Sequence, residues 1–154
     1  MEEHAERAVM KLRERFGEAL REVQEFRGEM TVLVAAARLV DICRVLRDDP
    51  ELRFEMLTDV TAADYVQQRN VFTVVYHLYS FLGNARLRLK ADVPAEHPSL
   101  PSLTSLWPAA NWHERETYDL FGIQFEGHPD LRRILMPEDF TDFPLRKEFP
   151  LQGR

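Results

Sequence analysis

Apolar residues recur at helical spacing from the start of the chain: Ala5, Val9, Leu12 and Phe16, with charged residues between them and Gly17 behind. The spacing predicts a short amphipathic helix that stops at the glycine. Glu18 to Phe26 fits either a second helical stretch or the first strand of a hairpin turning at Arg27-Gly28-Glu29. The strand is expected, because β-prone Met30 to Val34 needs a neighbour. Leu39, Ile42, Cys43 and Leu46 mark one face of a helix from about Ala36, and Asp48-Asp49-Pro50 ends it. Phe54 to Val60 reads as the next strand. Val71 to Leu82 is apolar or aromatic on both parities, which predicts a central strand covered on both faces. Gly83-Asn84 has the composition of a two-residue hairpin turn. Ala85, Leu87, Leu89, Ala91 and Val93 then alternate with Arg86, Arg88, Lys90 and Asp92, the pattern of a strand with one wet face.

From Pro94 the texture changes. Pro94, Pro98, Pro101 and Pro108 rule out a long regular element. Asn111 is placed to cap a helix, with Glu114 reaching back to the cap's backbone donor as a capping box. That helix should run to about Phe121 and stop at Gly122. Beyond Gly127 little regular pattern remains apart from Leu131 to Leu135, and four prolines (129, 137, 144 and 150) punctuate the segment. A proline-rich tail this rich in aromatic and basic residues is expected to lie against a surface. The order helix, two strands, helix, three strands and irregular helical tail predicts an α+β fold: two layers, one mixed sheet, helices mainly on one face. No internal repeat is visible, so residues 1–154 read as one domain, an α+β core over 1–93 and a C-terminal segment over 94–154.

Composition narrows the function. The chain has 154 residues, with 26 acidic against 20 basic side chains and a net charge of −6. That acidic balance argues against a general nucleic-acid binder. One cysteine, Cys43, allows no intrachain disulfide and no cysteine cluster for zinc or iron–sulfur chemistry. The longest apolar run, Val32 to Ala37, is far below the ~20 residues that span a bilayer. The acidic start, Met1-Glu2-Glu3-His4, is unlike a signal peptide, and the expectation is a cytosolic or cytosol-facing protein.

The glycines form no phosphate-binding loop and no serine lies in a nucleophile elbow. Cys43, on an apolar helix face, reads as an inert core thiol. His77 reads as a structural histidine within a strand. His113 lacks the second histidine four residues on that a metal-binding helix would need, because Thr117 stands there. The densest chemistry is Trp112-His113-Glu114-Arg115-Glu116-Thr117-Tyr118-Asp119-Leu120-Phe121. Glu114 and Tyr118 share a helix face, as do Arg115 and Asp119, while Glu116 against Asp119 needs a cation. One reading is a solvated surface helix. Another is that these carboxylates meet Arg132, Arg133 and Arg146 and pin the tail. Acid catalysis by Glu114 and Glu116 is a third, but residues two apart on a helix point in different directions and no nucleophile accompanies them.

The C-terminal third resembles a known family. Glu114-Arg115-Glu116, Asp119-Leu120-Phe121-Gly122-Ile123, Gly127-His128-Pro129-Asp130-Leu131-Arg132-Arg133-Ile134-Leu135 and Pro144-Leu145-Arg146-Lys147-Glu148-Phe149-Pro150 match its pattern in order and spacing. The family is the C-type subunit of the proton-pumping NADH:quinone oxidoreductase, respiratory complex I, with counterparts in plastid and cyanobacterial complexes and in membrane-bound hydrogenases. Two departures stand out. Position 148 is Glu where the family usually has Asp, and the chain stops at Arg154 where many relatives continue into a long arm, as short plastid-type forms do not.

The resemblance implies a non-catalytic peripheral-arm subunit with no flavin, cluster, metal or quinone of its own. FMN, iron–sulfur clusters and quinone would belong to the rest of the complex. Its partners would be the large quinone-chamber subunit (the D-type) and the small iron–sulfur subunit (the B-type), on the cytoplasmic face of the plasma membrane or the matrix or stromal equivalent. There would be no nucleic acid and no membrane span. The resemblance also gives the motif residues structural roles. Glu114, Arg115, Glu116 and Asp119 would form a partly buried ion-pair network with Arg132, Arg133 or Arg146. His128 and Pro129 would make a rigid turn, and Pro144, Leu145, Arg146 and Lys147 would lie at an interface with a neighbouring chain, with Trp112 and Tyr118 as neighbouring anchors. The alternative is the equivalent subunit of a membrane-bound hydrogenase or of a ferredoxin- or deazaflavin-using dehydrogenase. A free-standing small enzyme using Glu114 and Glu116 is the rival of a different class.

Overall fold

In the computed structural model, which describes residues 2–131 and 143–146, helix α1 (Glu2–Phe16) leads into β1 (Leu20–Phe26) and β2 (Glu29–Val34). Helix α2 (Leu39–Asp48) and strand β3 (Met56–Tyr65) follow, then a single turn α3 (Val66–Arg69) and strands β4 (Val71–Ser80) and β5 (Ala85–Pro94). Short strand β6 (Ser99–Pro101), helix α4 (Ala110–Phe121) and strand β7 (Gln124–Glu126) complete the described elements. The main sheet has five strands in the order β1-β2-β5-β4-β3. It is mixed: β2 runs parallel to β5, and the other pairs are antiparallel. A second, two-stranded parallel sheet joins β6 to β7. This is the α+β architecture that the order of elements predicts.

Each element follows from local chemistry. The buried stripe of α1 is Ala5, Ala8, Val9 and Leu12, and Gly17 breaks the helix at φ +49°. Arg27 and Gly28, both at positive φ, close the β1–β2 hairpin; paired positive φ values match the twist of the flanking strands. Alternation in β5 is as expected, with Ala85, Leu87, Leu89, Ala91 and Val93 all buried. Most of these residues join Phe72, Val74, Tyr76 and Leu78 of β4 and the α1 and α2 stripes in one apolar core, which also takes in Trp107, Ala110, Phe121 and Phe125. At the opposite sheet face, Arg69 of the single turn α3 bonds Thr73 Oγ1 and Asp92.

Five expectations are corrected. Strand β3 begins two residues later than Phe54, because the Phe54 amide bonds Leu46 and its carbonyl accepts from Trp107 Nε1. It also continues past Val60 to Tyr65, paired with Val71. Strand β4 is not central: β5 takes the middle. Nor is β4 covered on both faces, since Val71, Val75, His77 and Tyr79 are only half-buried on the open side. The β4–β5 connection has four residues rather than two. Ser80 pairs with Ala85, after which the Phe81 amide is drawn to the Glu55 carboxylate and leaves the ladder.

Two contacts tie α1 to the sheet. His4 is 5% exposed and its Nε2 lies 2.7 Å from the Leu52 carbonyl, which also accepts from Ser80 Oγ at 2.7 Å. The His4 ring fills the space that a Cβ on Gly83 would occupy. Lys11 pairs with Asp49 at 3.0 Å, joining α1 to the end of α2.

Candidate functional site

Of the motif residues singled out in the sequence, those the structure describes lie on α4 or at its two ends. This helix packs beside edge strand β3: Thr117 Oγ1 lies 2.9 Å from the His113 carbonyl of its own helix and 3.2 Å from the Val60 carbonyl of the strand, so its one proton is shared between them. Its buried face combines Ala110, Glu114, Thr117 and Phe121, spaced at four, three and four residues, with Asp119 buried as well. A helical face carrying a carboxyl and a hydroxyl among apolar residues has to satisfy both inside the fold.

Glu114 does so differently from the expected capping box. Ala109, not Asn111, is the N-cap, and no side chain caps the helix. Instead Oε1 of Glu114 accepts from Ser102 Oγ at 2.6 Å and Oε2 from the Leu103 amide at 2.7 Å. The loop from β6 to α4 thus claims the carboxyl that the cap would have used. Nor does an arginine among the described residues meet Glu114; its partners are a hydroxyl and an amide. Burial pushes the carboxyl up from 4.5 to about 7, against the lowering effect of the Ser102 and Leu103 hydrogen bonds. The Tyr76 hydroxyl is also buried, with no hydrogen-bond partner among the described residues. Burial, and after it the Glu114 charge, raises the phenol well above its usual range.

The other end of α4 receives the segment 143–146. Gly122 ends the helix at φ +78°, its amide bonding the Tyr118 carbonyl at 2.7 Å. The last carbonyls of a helix lack partners within it, and here the tail supplies them. The Leu145 amide donates to Leu120 at 3.0 Å, and Arg146 Nε donates to Phe121 at 2.5 Å. The guanidinium lies over the rings of Phe72 at 5.0 Å and Phe143 at 4.9 Å, so a cation sits at the negative end of the helix between two aromatic faces. Tyr118 packs against Phe143 with ring centroids 6.1 Å apart. A Cβ on Gly122 would lie 2.7 Å from Phe143 and 2.8 Å from Arg146, so glycine is needed for both the conformation and the close approach.

At the start of α4, His128 Nε2 lies 3.1 Å from the Asn111 carbonyl while its Nδ1 accepts from the Asp130 amide at 2.9 Å. The histidine thus folds the His128-Pro129-Asp130 turn back onto the helix. Trp112 and Leu145 are each 52% exposed. Arg115 buries its Nε without a hydrogen-bond partner among the described residues. Glu116 and Pro144 are half-buried. Arg132, Arg133 and Lys147 lie outside the described residues.

Chemically, this arrangement holds segments in place. Glu114 is fully enclosed with both oxygens engaged, so a soluble substrate has no access to it. Cys43 is buried, which raises its thiol pKa well above the usual range and fits an inert core role. Among the described residues no group of three or more His, Cys, Asp and Glu is placed to hold a metal ion, and no helix is long and apolar enough to cross a membrane. Sequence reasoning missed Ser102, Tyr76, Phe143 and His4. Only Thr117 left a signal, through its helical spacing from Glu114 and Phe121.

Residues 32–154 match the family described as respiratory-chain NADH dehydrogenase, 30 kDa subunit. The NADH-quinone oxidoreductase C-type subunit of Geobacter sulfurreducens is 53% identical over 148 residues, covering 96% of this chain and 90% of the relative. The C-type subunit of a Roseiflexus species is 53% identical over 141 residues, covering 92% and 81%. Among solved structures, a trypsin-resistant fragment of Nqo5 matches with a TM-score of 0.67 at 32% identity, over 83% of this chain and 99% of that one. A chain of an archaeal membrane-bound sulfane sulfur reductase matches with a TM-score of 0.79 at 24% identity, over 95% and 85%, a likeness of fold.

Proposed function

The chain belongs to the family of the respiratory-chain NADH dehydrogenase 30 kDa subunit, and from that membership we propose that it serves as the C-type subunit of a membrane-associated NADH:quinone oxidoreductase. One observation carries this reading: identity to C-type subunits of that enzyme is sustained along nearly the whole chain. The complex would pass electrons from NADH to a quinone and couple them to proton translocation. The chain's own contribution would be structural, as a peripheral-arm scaffold.

The chain's own residues fit that division of labour. Iron–sulfur clusters are assigned to neighbouring subunits, since a single buried cysteine supplies no cluster ligands; flavin and quinone are assigned there from the family membership alone. The large quinone-chamber subunit and the small iron–sulfur subunit are the proposed partners, on the cytoplasmic face of the membrane or its organellar equivalent. The motif residues Trp112, Pro144, Leu145 and Arg146 are proposed to face those partners, and residues 1–154 to act as one domain. Exposed Trp112 and Leu145 at the two ends of α4 support this, as large apolar anchors flanking a rigid helix. The second reading is the equivalent subunit of a related hydrogenase or of a ferredoxin- or deazaflavin-using dehydrogenase; the fold is shared with a chain of another respiratory membrane complex.

Gentle detergent extraction of the source membranes, native-gel separation and identification of the co-migrating chains test the proposal. The expected result is a large assembly with iron–sulfur absorbance and NADH:quinone reductase activity. Migration as a lone 18 kDa species overturns it. A nickel-binding hydrogenase subunit in place of the NADH-oxidising flavin subunit selects the second reading.

A further inference from the structure

One end of the main sheet gathers exposed apolar side chains that the described residues leave uncovered. Phe26 closes β1 opposite Glu29, and β2 enters beside the start of β5, with Met30 level with Leu87. Ser80 and Ala85 close the β4–β5 ladder, and Met56 opens β3 opposite Tyr79. These registers bring Phe26, Met56, Phe81 and Leu82 to the same end, where they are 70%, 45%, 66% and 59% exposed. Five strands at about 4.8 Å spacing make this rim about 19 Å wide. Phe81 stacks edge-on against Tyr79 at 4.9 Å. Below it a groove of about 710 Å³ runs onto the open sheet face between Glu29, Met30, His77, Tyr79, Arg86 and Arg88.

The charges on this rim are unbalanced. Arg27, Arg53 and Arg86 are exposed and have no carboxylate partner among the described residues; Arg27 lies over the Phe26 ring at 5.0 Å. Glu29 pairs with Arg88 at 3.0 Å. Glu55 accepts from the Phe81 amide at 2.7 Å and keeps its charge, and Asp59 lines the groove further along β3. Glu25 alternates to the opposite side of β1, and Glu3 and Glu6 belong to α1 in the layer behind. Three arginines without a carboxylate partner thus stand against Glu55 and Asp59, and the balance at the rim is positive.

We propose that this rim, built from Phe26, Met56, Phe81 and Leu82 and flanked by Arg27 and Arg86, is the docking surface for a protein partner presenting an apolar socket edged with carboxylates. Aromatic residues and arginine together form the composition that dominates binding energy at interfaces, and opposite charge sets register and encounter rate. None of these residues belongs to the C-terminal motif, so the rim describes a second contact. The inference rests on the reading of the chain as part of a larger assembly.

The test uses the full chain carrying Phe81→Ser or Arg86→Glu, expressed in its source in place of the natural copy, with Met10→Ser on α1 as a control at another exposed apolar site. Each purified variant should melt like the natural chain. The fraction migrating with the assembly on a native gel should fall about tenfold or more for Phe81→Ser and for Arg86→Glu, and stay unchanged for Met10→Ser. Natural chain in the assembly with both rim variants incorporated normally overturns the docking surface and leaves the subunit reading intact. Loss with Phe81→Ser alone overturns the acidic partner. A purified natural chain that runs as a dimer, broken by the same two substitutions, assigns the rim to a second copy and overturns the proposal. Natural chain migrating alone removes the subunit reading and this inference with it.

Discussion

Ser102 Oγ donates a 2.6 Å hydrogen bond to Glu114 Oε1, tying the loop that enters α4 to a carboxyl buried on the helix's inner face. The Leu103 amide takes the second oxygen, so one side chain fixes two successive residues of a segment with little regular structure. This lock sets where α4 lies, and α4 in turn receives the tail at its far end.

The lock makes stability depend on pH. Glu114 titrates near 7 in the folded chain and near 4.5 when unfolded, so the folded state holds the proton more tightly. The associated stability is present in full below about pH 4.5 and is lost as pH rises through about 7. It amounts to about 3 kcal/mol at most. Urea unfolding of the purified chain at pH 5 and pH 8 should show this loss, and Glu114→Gln should remove that part of the pH dependence. Identical pH profiles for the two chains would rule out the assignment.

Glutamine and alanine at position 114 should behave differently. In Glu114→Gln the amide oxygen can accept from Leu103 while its NH2 donates to Ser102 Oγ, whose own proton turns to Thr104 Oγ1, 2.9 Å away. Glu114→Ala strands a buried amide and a hydroxyl. The alanine variant should lose about 2–4 kcal/mol and the glutamine variant about 1 kcal/mol or less at pH 6. The urea midpoint measures both.

Arg146 holds the tail by shape as well as charge. Arg146→Lys keeps the cation but cannot place a planar guanidinium between Phe72 and Phe143 while donating to Phe121. Both Arg146→Ala and Arg146→Lys should lower stability, by about 2–3 and about 1–2 kcal/mol. A lysine variant as stable as the natural chain would show that charge alone suffices.

Two glycines with positive φ offer a controlled comparison. Gly17→Ala meets open space and should cost about 1 kcal/mol for the left-handed conformation alone. Gly122→Ala adds contacts at 2.7 and 2.8 Å with Phe143 and Arg146, and should cost at least about 1 kcal/mol more. Equal melting shifts would mean that the segment 143–146 is not seated on Gly122 in solution.

His4 and Gly83 provide a test away from α4. A Cβ at position 83 would overlap the His4 ring, which is confined by Leu52 and by Phe54 at 5.5 Å between ring centroids. Gly83→Ala should displace the first turn of α1 and cost about 1–3 kcal/mol. Amide exchange should rise in α1 while β5 stays protected.

Sequence alone determined the elements and their class. Periodicities of 3.6 and 2 are local properties, so the stripes of α1 and α2, the alternation of β5, the Arg27-Gly28 turn and the Gly122 stop could be read directly from the order of residues. The family too was legible, in the motif blocks from Glu114 to Pro150. Tertiary structure decided how the elements were ordered and which groups met. That β5 rather than β4 lies at the centre depends on β2 crossing to pair with it in parallel, a contact between residues more than fifty apart. Local pattern also favoured a capping box at Glu114. The carboxyl instead took a hydroxyl and an amide from the β6–α4 loop, because α4 packs with that face inward and a buried carboxyl takes whichever donors the fold brings within reach. Arg146 likewise found a helix carbonyl and two aromatic faces, partners that chain spacing does not encode.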